Sequence, residues 1–76
     1  MSDSTAAAGA TISITVNGES FSLTGPATVA SLIALRSPRP PFAVELNKTL
    51  VRRPQYDATT IREGDAVEIV TLVGGG

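Results

Sequence analysis

The sequence predicts a small α+β domain in which a mixed sheet of four or five strands packs on a single helix. Three observations predict it. Apolar and polar residues alternate in short segments near both ends of the chain. One segment, after Gly25-Pro26, instead has apolar residues at helical spacing. The chain has 76 residues and no cysteine or histidine, so a thin two-layer aliphatic core must stabilise the fold without disulfide or zinc.

The first two strands form a hairpin. Residues 12–16 (ISITV) alternate with a period of two, which is typical of a half-buried strand. Asn17-Gly18 follows at once, and both residue types tolerate the positive φ angles of a tight hairpin turn. Residues 21–23 (FSL) continue the alternation, so they are the predicted return strand.

The helix is predicted between two breaks in the chain. Gly25-Pro26 ends the hairpin, and Thr28 is the expected N-cap of a helix that runs through Leu35. Val29, Leu32 and Ile33 have the spacing of one apolar stripe. The proline-rich residues 37–41 (SPRPP) cannot continue a helix, so we expect it to end there.

The second half of the chain reads as three strands. They are residues 42–46 (FAVEL), closed by Asn47-Lys48, then a short strand at residues 50–51, and a last strand from Val67. A turn or one helical turn is expected at residues 53–56 and a tight turn at residues 63–65. The order β-β-α-β-β-β, with the first and last strands side by side in the centre, predicts the β-grasp, or ubiquitin-like, arrangement. We expect a flexible extension over residues 1–10, a β-grasp domain over 11–73 and a flexible glycine tail over 74–76.

Composition excludes several classes of function. The net charge of −1 and only three aromatic residues argue against nucleic-acid binding and against a basic membrane-binding surface. No apolar run approaches the about 20 residues that cross a bilayer, and the N-terminus lacks the charged region of a signal peptide. We therefore expect a cytoplasmic protein. Without cysteine or histidine we expect no nucleophilic triad, no ordinary metal site and no bound cofactor, and the scattered acidic residues suggest no catalytic pair.

The last strand has an unusual outer face. Strand geometry places Val67, Ile69 and Thr71 on one face and residues 68, 70 and 72 on the other. Glu68 marks the second face as exposed, so Val70 and Leu72, with Val73, predict a surface that docks a partner. The alternative is that a neighbouring loop covers these side chains.

Three glycines follow that strand. Gly74, Gly75 and Gly76 contribute nothing to a core, and ordering each costs about 1–2 kcal/mol of backbone entropy. Without Cβ atoms they form a slender segment that can enter a narrow channel and present the carboxylate of Gly76 to another protein. A carboxylate is a poor electrophile, so chemistry there needs activation by a partner, most simply adenylation by ATP.

The same residues resemble a known family. The stretch AVELN (residues 43–47), the ending GDAVEIVTLVGGG (residues 64–76) and the pair Val51 and Arg53 are similar to the sulfur carrier of thiamine biosynthesis, the ThiS family. The resemblance covers residues 11–76. Arg52 and Tyr56 stand where proline and tryptophan are frequent in that family.

The resemblance implies a protein cosubstrate and not an enzyme. Gly76 would be adenylated by an E1-like enzyme of the ThiF type, which supplies the ATP site, and converted to a thiocarboxylate with sulfur from a donor protein. Gly75 and Gly74 would provide the flexible segment that enters this enzyme and later a thiazole synthase of the ThiG type, where the sulfur is given up for thiazole formation.

Three alternatives remain. The small subunit of molybdopterin synthase has the same fold and tail chemistry, but its endings resemble a proline pair before Gly-Gly, and residues 71–73 (TLV) contain no proline. A ubiquitin-like modifier would transfer the same adenylate to an amine. A β-grasp interaction module with incidental glycines is the third.

Overall fold

The computed structural model describes residues 10–72. They form seven strands, one α-helix and a single 3₁₀ turn at Arg53–Gln55. The helix, α1, spans Val29–Arg36. The strands are β1 (Thr11–Val16), β2 (Glu19–Thr24), β3 (Ala27–Thr28), β4 (Phe42–Leu46), β5 (Thr49–Val51), β6 (Thr60–Ile61) and β7 (Ala66–Thr71).

Five of these strands make the main sheet, in the order β2-β1-β7-β4-β5. The last strand, β7, is in the middle, parallel to β1 and antiparallel to β4. The predicted neighbourhood of the first and last strands is therefore confirmed. With α1 as the single α-helix of the described residues and five strands in the sheet, the architecture is the β-grasp that the element order predicts.

The two hairpins close through turns that need positive φ angles. Asn17 and Gly18 have φ of 53° and 82° between β1 and β2, and Asn47 and Lys48 have φ of 51° and 71° between β4 and β5. This pattern is that of type I′ turns, whose twist matches that of the flanking strands. The turn residues thus set the register of both hairpins.

The helix begins as its sequence predicts. Thr28 Oγ1 accepts from the Ser31 N–H at 3.1 Å and Ser31 Oγ accepts from the Thr28 N–H at 2.9 Å, which is a reciprocal capping box. The helix ends at Arg36, one residue later than expected, because Ser37 takes a left-handed conformation (φ 45°) and donates its N–H to Ile33 O.

The core lies between the sheet and the helix. Val29 and Leu32 of α1 are fully buried and Ile33 is half-buried, which confirms the predicted apolar stripe. The sheet supplies most of the other buried residues, and no polar side chain within residues 10–72 is buried. The largest fully buried side chains are Leu32, Val16, Val29, Val44 and Val67.

A second, two-stranded sheet was not predicted. β3 pairs antiparallel with β6 through Ala27↔Ile61 and Thr28↔Thr60. The segment before β6 also receives the free N–H groups of the first helical turn, because Val29 donates to Thr59 O at 2.9 Å and Ala30 to Tyr56 O at 3.0 Å. The segment between β5 and β6 is thereby hydrogen-bonded to the start of the helix.

Within residues 10–72 the structure has no helix long and apolar enough to span a membrane.

Candidate functional site

The last strand, β7, presents two different faces. Val67 and Ile69 are buried, with 1% and 8% of their surface exposed, whereas Val70 is 47% and Leu72 50% exposed. The predicted alternation is confirmed, and no described loop covers Val70 or Leu72. The surface that they form is open to a partner, but whether a partner uses it stays a prediction.

β7 is held by the sheet up to its end. Thr71 pairs with Phe42 of β4, and the Leu72 N–H donates to Pro41 O at 2.8 Å. Val73 and the predicted tail, Gly74, Gly75 and Gly76, lie outside the described residues, as do residues 1–9 of the predicted extension. The first of the three glycines therefore comes three residues after the end of a strand that lies at the centre of the sheet.

The Asn17 side chain fastens the middle of β7. Its Oδ1 accepts from the Ile69 N–H at 2.7 Å, and its Nδ2 donates to Ile69 O at 3.1 Å. The side-chain amide thus mimics a backbone peptide group, because it both accepts from and donates to Ile69. It extends the β1–β7 pairing beyond the end of β1. The sequence indicates that Asn17 forms a turn but not that it binds Ile69, because a partner 52 residues away leaves no local signal.

Asn47 fastens the start of β7 from the other side. Its Oδ1 accepts from the Ala66 N–H at 2.9 Å, its Nδ2 donates to Asp65 Oδ1 at 3.0 Å, and its backbone N–H donates to Ala66 O at 2.7 Å. Both hairpin turns therefore brace the strand that precedes the tail. We infer that β7 is a rigid base for whatever follows it.

Two acidic side chains in the turn before β7 accept backbone hydrogen bonds, one from β1 and one from the turn itself. Glu63 Oε1 accepts from the Ser13 N–H at 2.9 Å, and Asp65 Oδ2 accepts from the Arg62 N–H at 2.7 Å. Across the part of the chain that the structure describes, no three His, Cys, Asp or Glu side chains are grouped to hold a metal ion.

The outer sheet face around Val70 is divided into two halves. On β1 and β2 the outward residues carry hydroxyl groups, since Ser13 pairs with Ser22 and Thr15 with Ser20. On β7, β4 and β5 the outward residues are Val70 opposite Ala43, Glu68 opposite Glu45, and Glu45 opposite Leu50. Leu50 is 51% exposed. Exposed apolar side chains are therefore concentrated in the half of the face next to the end of β7.

Comparison with known proteins agrees with this geometry. The sequence model of the ThiS family matches residues 14–76. The crystal structure of the thiamine biosynthesis protein ThiS from Geobacter metallireducens superposes with a TM-score of 0.73 and 35% identity, covering 86% of this chain and 100% of that chain. An NMR structure of a thiamine biosynthesis protein from the same organism gives a TM-score of 0.71 and 35% identity, over 86% and 88% of the two chains.

Two relatives have no stated function. The uncharacterized protein ycf40 of Porphyra purpurea is 40% identical over 68 residues, which are 86% of this chain and 93% of the relative. The ycf40 protein of Pyropia yezoensis is 37% identical over the same shares. Because the family match includes all of the sheet except the start of β1, together with the glycine ending, the chain belongs to the ThiS family.

Proposed function

We propose that this protein is a sulfur carrier of thiamine biosynthesis, whose Gly76 carboxylate is converted to a thiocarboxylate that supplies sulfur for thiazole formation. The observation that carries the proposal is the match of the family model to residues 14–76, which joins the β-grasp domain to the glycine ending. The anchored end of β7 supports it, because that strand leads straight into Val73 and the glycines.

The chemistry follows from the state of the terminal group. A C-terminal carboxyl has a reference pKa near 3.5 and is ionised at neutral pH. One carboxylate oxygen attacks the α-phosphorus of ATP, pyrophosphate leaves, and an acyl-adenylate forms. A sulfide nucleophile then attacks the acyl carbon and displaces AMP, which leaves a thiocarboxylate. Its sulfur is a softer and better nucleophile than the oxygen that it replaces.

The carrier leaves catalysis to its partners. An E1-like adenylating enzyme supplies the ATP site, a donor protein supplies sulfur, and a thiazole synthase accepts it, all in the cytoplasm. Val70, Leu72 and Val73 form the surface on which the partners dock. The carrier contributes a folded domain that the partners recognise and the terminal carboxyl group. The three glycines before that group have no side chains, so they fit a narrow channel in a partner.

Intact-mass measurement tests the proposal. The purified protein is incubated with the adenylating enzyme of the same organism, ATP and sodium sulfide. We expect a mass increase equal to the difference between a sulfur and an oxygen atom, located at Gly76 by fragmentation. An unchanged mass with active enzyme would refute the proposal.

A truncated variant provides the matched comparison. Deletion of Gly75-Gly76 should abolish the mass change and leave the thermal unfolding midpoint unaltered, because glycine has no side chain to contribute to a core. A variant lacking Ser2-Asp3 has the same length as the glycine-deleted variant, and its Gly76 should gain sulfur as in the wild type. Rescue of growth without thiamine by the glycine-deleted chain would support the incidental-glycine alternative instead.

A further inference from the structure

A shallow groove lies at one end of the sheet, beside the end of β7. Its volume is about 360 Å³, and its apolar lining comes from β4, β5 and the segment after them, including Phe42, Leu50, Pro54 and Tyr56. The two consecutive arginines, Arg52 and Arg53, complete the lining and are exposed. The groove therefore offers an apolar floor next to two guanidinium groups.

The arginines are positioned by their backbone. The Gln55 N–H donates to Arg52 O at 2.8 Å, the Tyr56 N–H donates to Arg53 O at 3.1 Å, and the Arg52 N–H donates to Gln55 Oε1 at 3.3 Å. These bonds form the 3₁₀ turn through backbone atoms and the Gln55 side chain, and among residues 10–72 neither guanidinium group is hydrogen-bonded. Tyr56 O in turn accepts from the helix at Ala30, so this wall of the groove is fixed before anything binds.

The groove is continuous with the surface next to the tail. Phe42 pairs with Thr71, and Ala43, which also lines the groove, pairs with the exposed Val70. A protein that encloses the residues after Leu72 would therefore lie against Val70 and the groove together.

Charge along this surface is segregated. The groove carries two arginines, whereas the neighbouring row of the sheet places Glu68 directly opposite Glu45. Like charges in that position repel each other. A partner segment with carboxylates is attracted to the groove and repelled by the glutamate row, so the pattern selects both the partner and its orientation.

Because the chain ends in three glycines, a partner must recognise this carrier by its folded surface. Gly74, Gly75 and Gly76 have no side chains, so an enzyme that meets the unmodified end has no side-chain chemistry there by which to select this carrier. The synthase that acts later meets a sulfur atom that other chains lack. Selection at the first step must therefore depend on the folded surface.

We propose that the Arg52–Arg53 groove is the docking site for a segment of the adenylating enzyme that carries a carboxylate beside an apolar side chain. This inference rests on the proposed function and deepens it, because it assigns to the groove the recognition of the first partner. The apolar side chain occupies the floor near Phe42 and Tyr56, and the carboxylate pairs with the guanidinium groups.

Charge reversal tests the groove. Binding of the adenylating enzyme to R52E, R53E and wild-type protein is measured by calorimetry, with R62E as the control. Arg62 is also exposed, but it lies in the turn before β7, and its reversal changes the net charge equally. We expect Kd to rise about tenfold or more for R52E and R53E and little for R62E. Added salt should weaken wild-type binding more than R52E binding.

The outcomes separate the two proposals. Equal affinities of R52E, R53E and R62E would overturn the docking role of the groove. The sulfur-carrier function would stand if the wild type still gains sulfur at Gly76. Weakened binding to the thiazole synthase alone would overturn the choice of partner, and a dimer that R52E dissociates would assign the groove to a second copy. A wild-type chain that neither binds the enzyme nor gains sulfur would overturn both proposals. R52Q, with circular dichroism, checks that lost binding reflects charge and not folding.

Discussion

Asn17 links a local turn to a distant strand. It adopts the positive φ of the β1–β2 hairpin, and its side chain makes both hydrogen bonds that the backbone of Ile69 offers to it. Because β7 is the central strand, one side chain connects the hairpin to the middle of the fold.

Asn17→Gly should lower the free energy of unfolding by about 1–3 kcal/mol, because Ile69 loses two partly buried hydrogen bonds. Glycine accepts the same positive φ without steric cost, so the loss reports the bonds and not the turn. Lys48→Gly is the matched control: Lys48 has φ of 71° and is exposed, so its replacement should be neutral or slightly stabilising. Urea denaturation measures both variants, and equal effects would contradict the assigned role.

Helix α1 depends on its first turn. The helix has eight residues, too few to be stable alone, so capping and packing decide whether it forms. The N–H groups of Val29, Ala30 and Ser31 all find acceptors, in the loop before β6 or in the capping box. The start of the helix and that loop therefore stabilise each other.

Thr28→Ala should cost about 1 kcal/mol of stability, since it removes the acceptor for the Ser31 N–H. Thr60→Ala is the control, because Thr60 pairs with Thr28 across the two short strands and is exposed. Its effect should stay within about 0.5 kcal/mol. Equal thermal unfolding midpoints for the two variants would show that the cap contributes nothing.

The elements differ in how far the sequence predicts them. The Asn17-Gly18 turn, the apolar stripe of α1 and the alternation in β7 depend on neighbours in sequence, and all three are confirmed. The β3–β6 pair has only two residues in each strand, too few for a periodic signal. The asparagine contacts to β7 and the arginine groove join residues far apart in the chain, so they emerge only from the folded structure.

At the scale of the whole molecule, the exposed face of the sheet has an apolar half and a polar half. The apolar residues Val70, Leu72 and Leu50 lie on the half next to the end of β7, and the hydroxyl residues lie on the other half. On this face of the sheet, a partner that holds the tail thus meets the exposed apolar side chains on the half that it must approach.

Val70→Asp should weaken binding of the adenylating enzyme about tenfold or more, because a side chain that contributes about 1.5–3 kcal/mol when buried is replaced by a charge. Stability should fall by less than about 1 kcal/mol, since Val70 is already half exposed. Ser22→Asp introduces the same charge on the hydroxyl half and should bind like the wild type. Calorimetry and urea denaturation give the two readouts, and equal binding by both variants would refute the surface.

The parallel pairing of β1 with β7 has a consequence for how the protein forms. Thr15 meets Ala66 and Val16 meets Val67, so the middle of the sheet joins segments from opposite halves of the chain. Neither half of the chain contains a complete sheet for the helix to pack against. Pairing β1 with β7 closes a loop of most of the chain, and the entropic cost of that closure is paid before either half buries much apolar surface. Peptides cut between α1 and β4 should each remain unstructured alone and regain the sheet only when mixed.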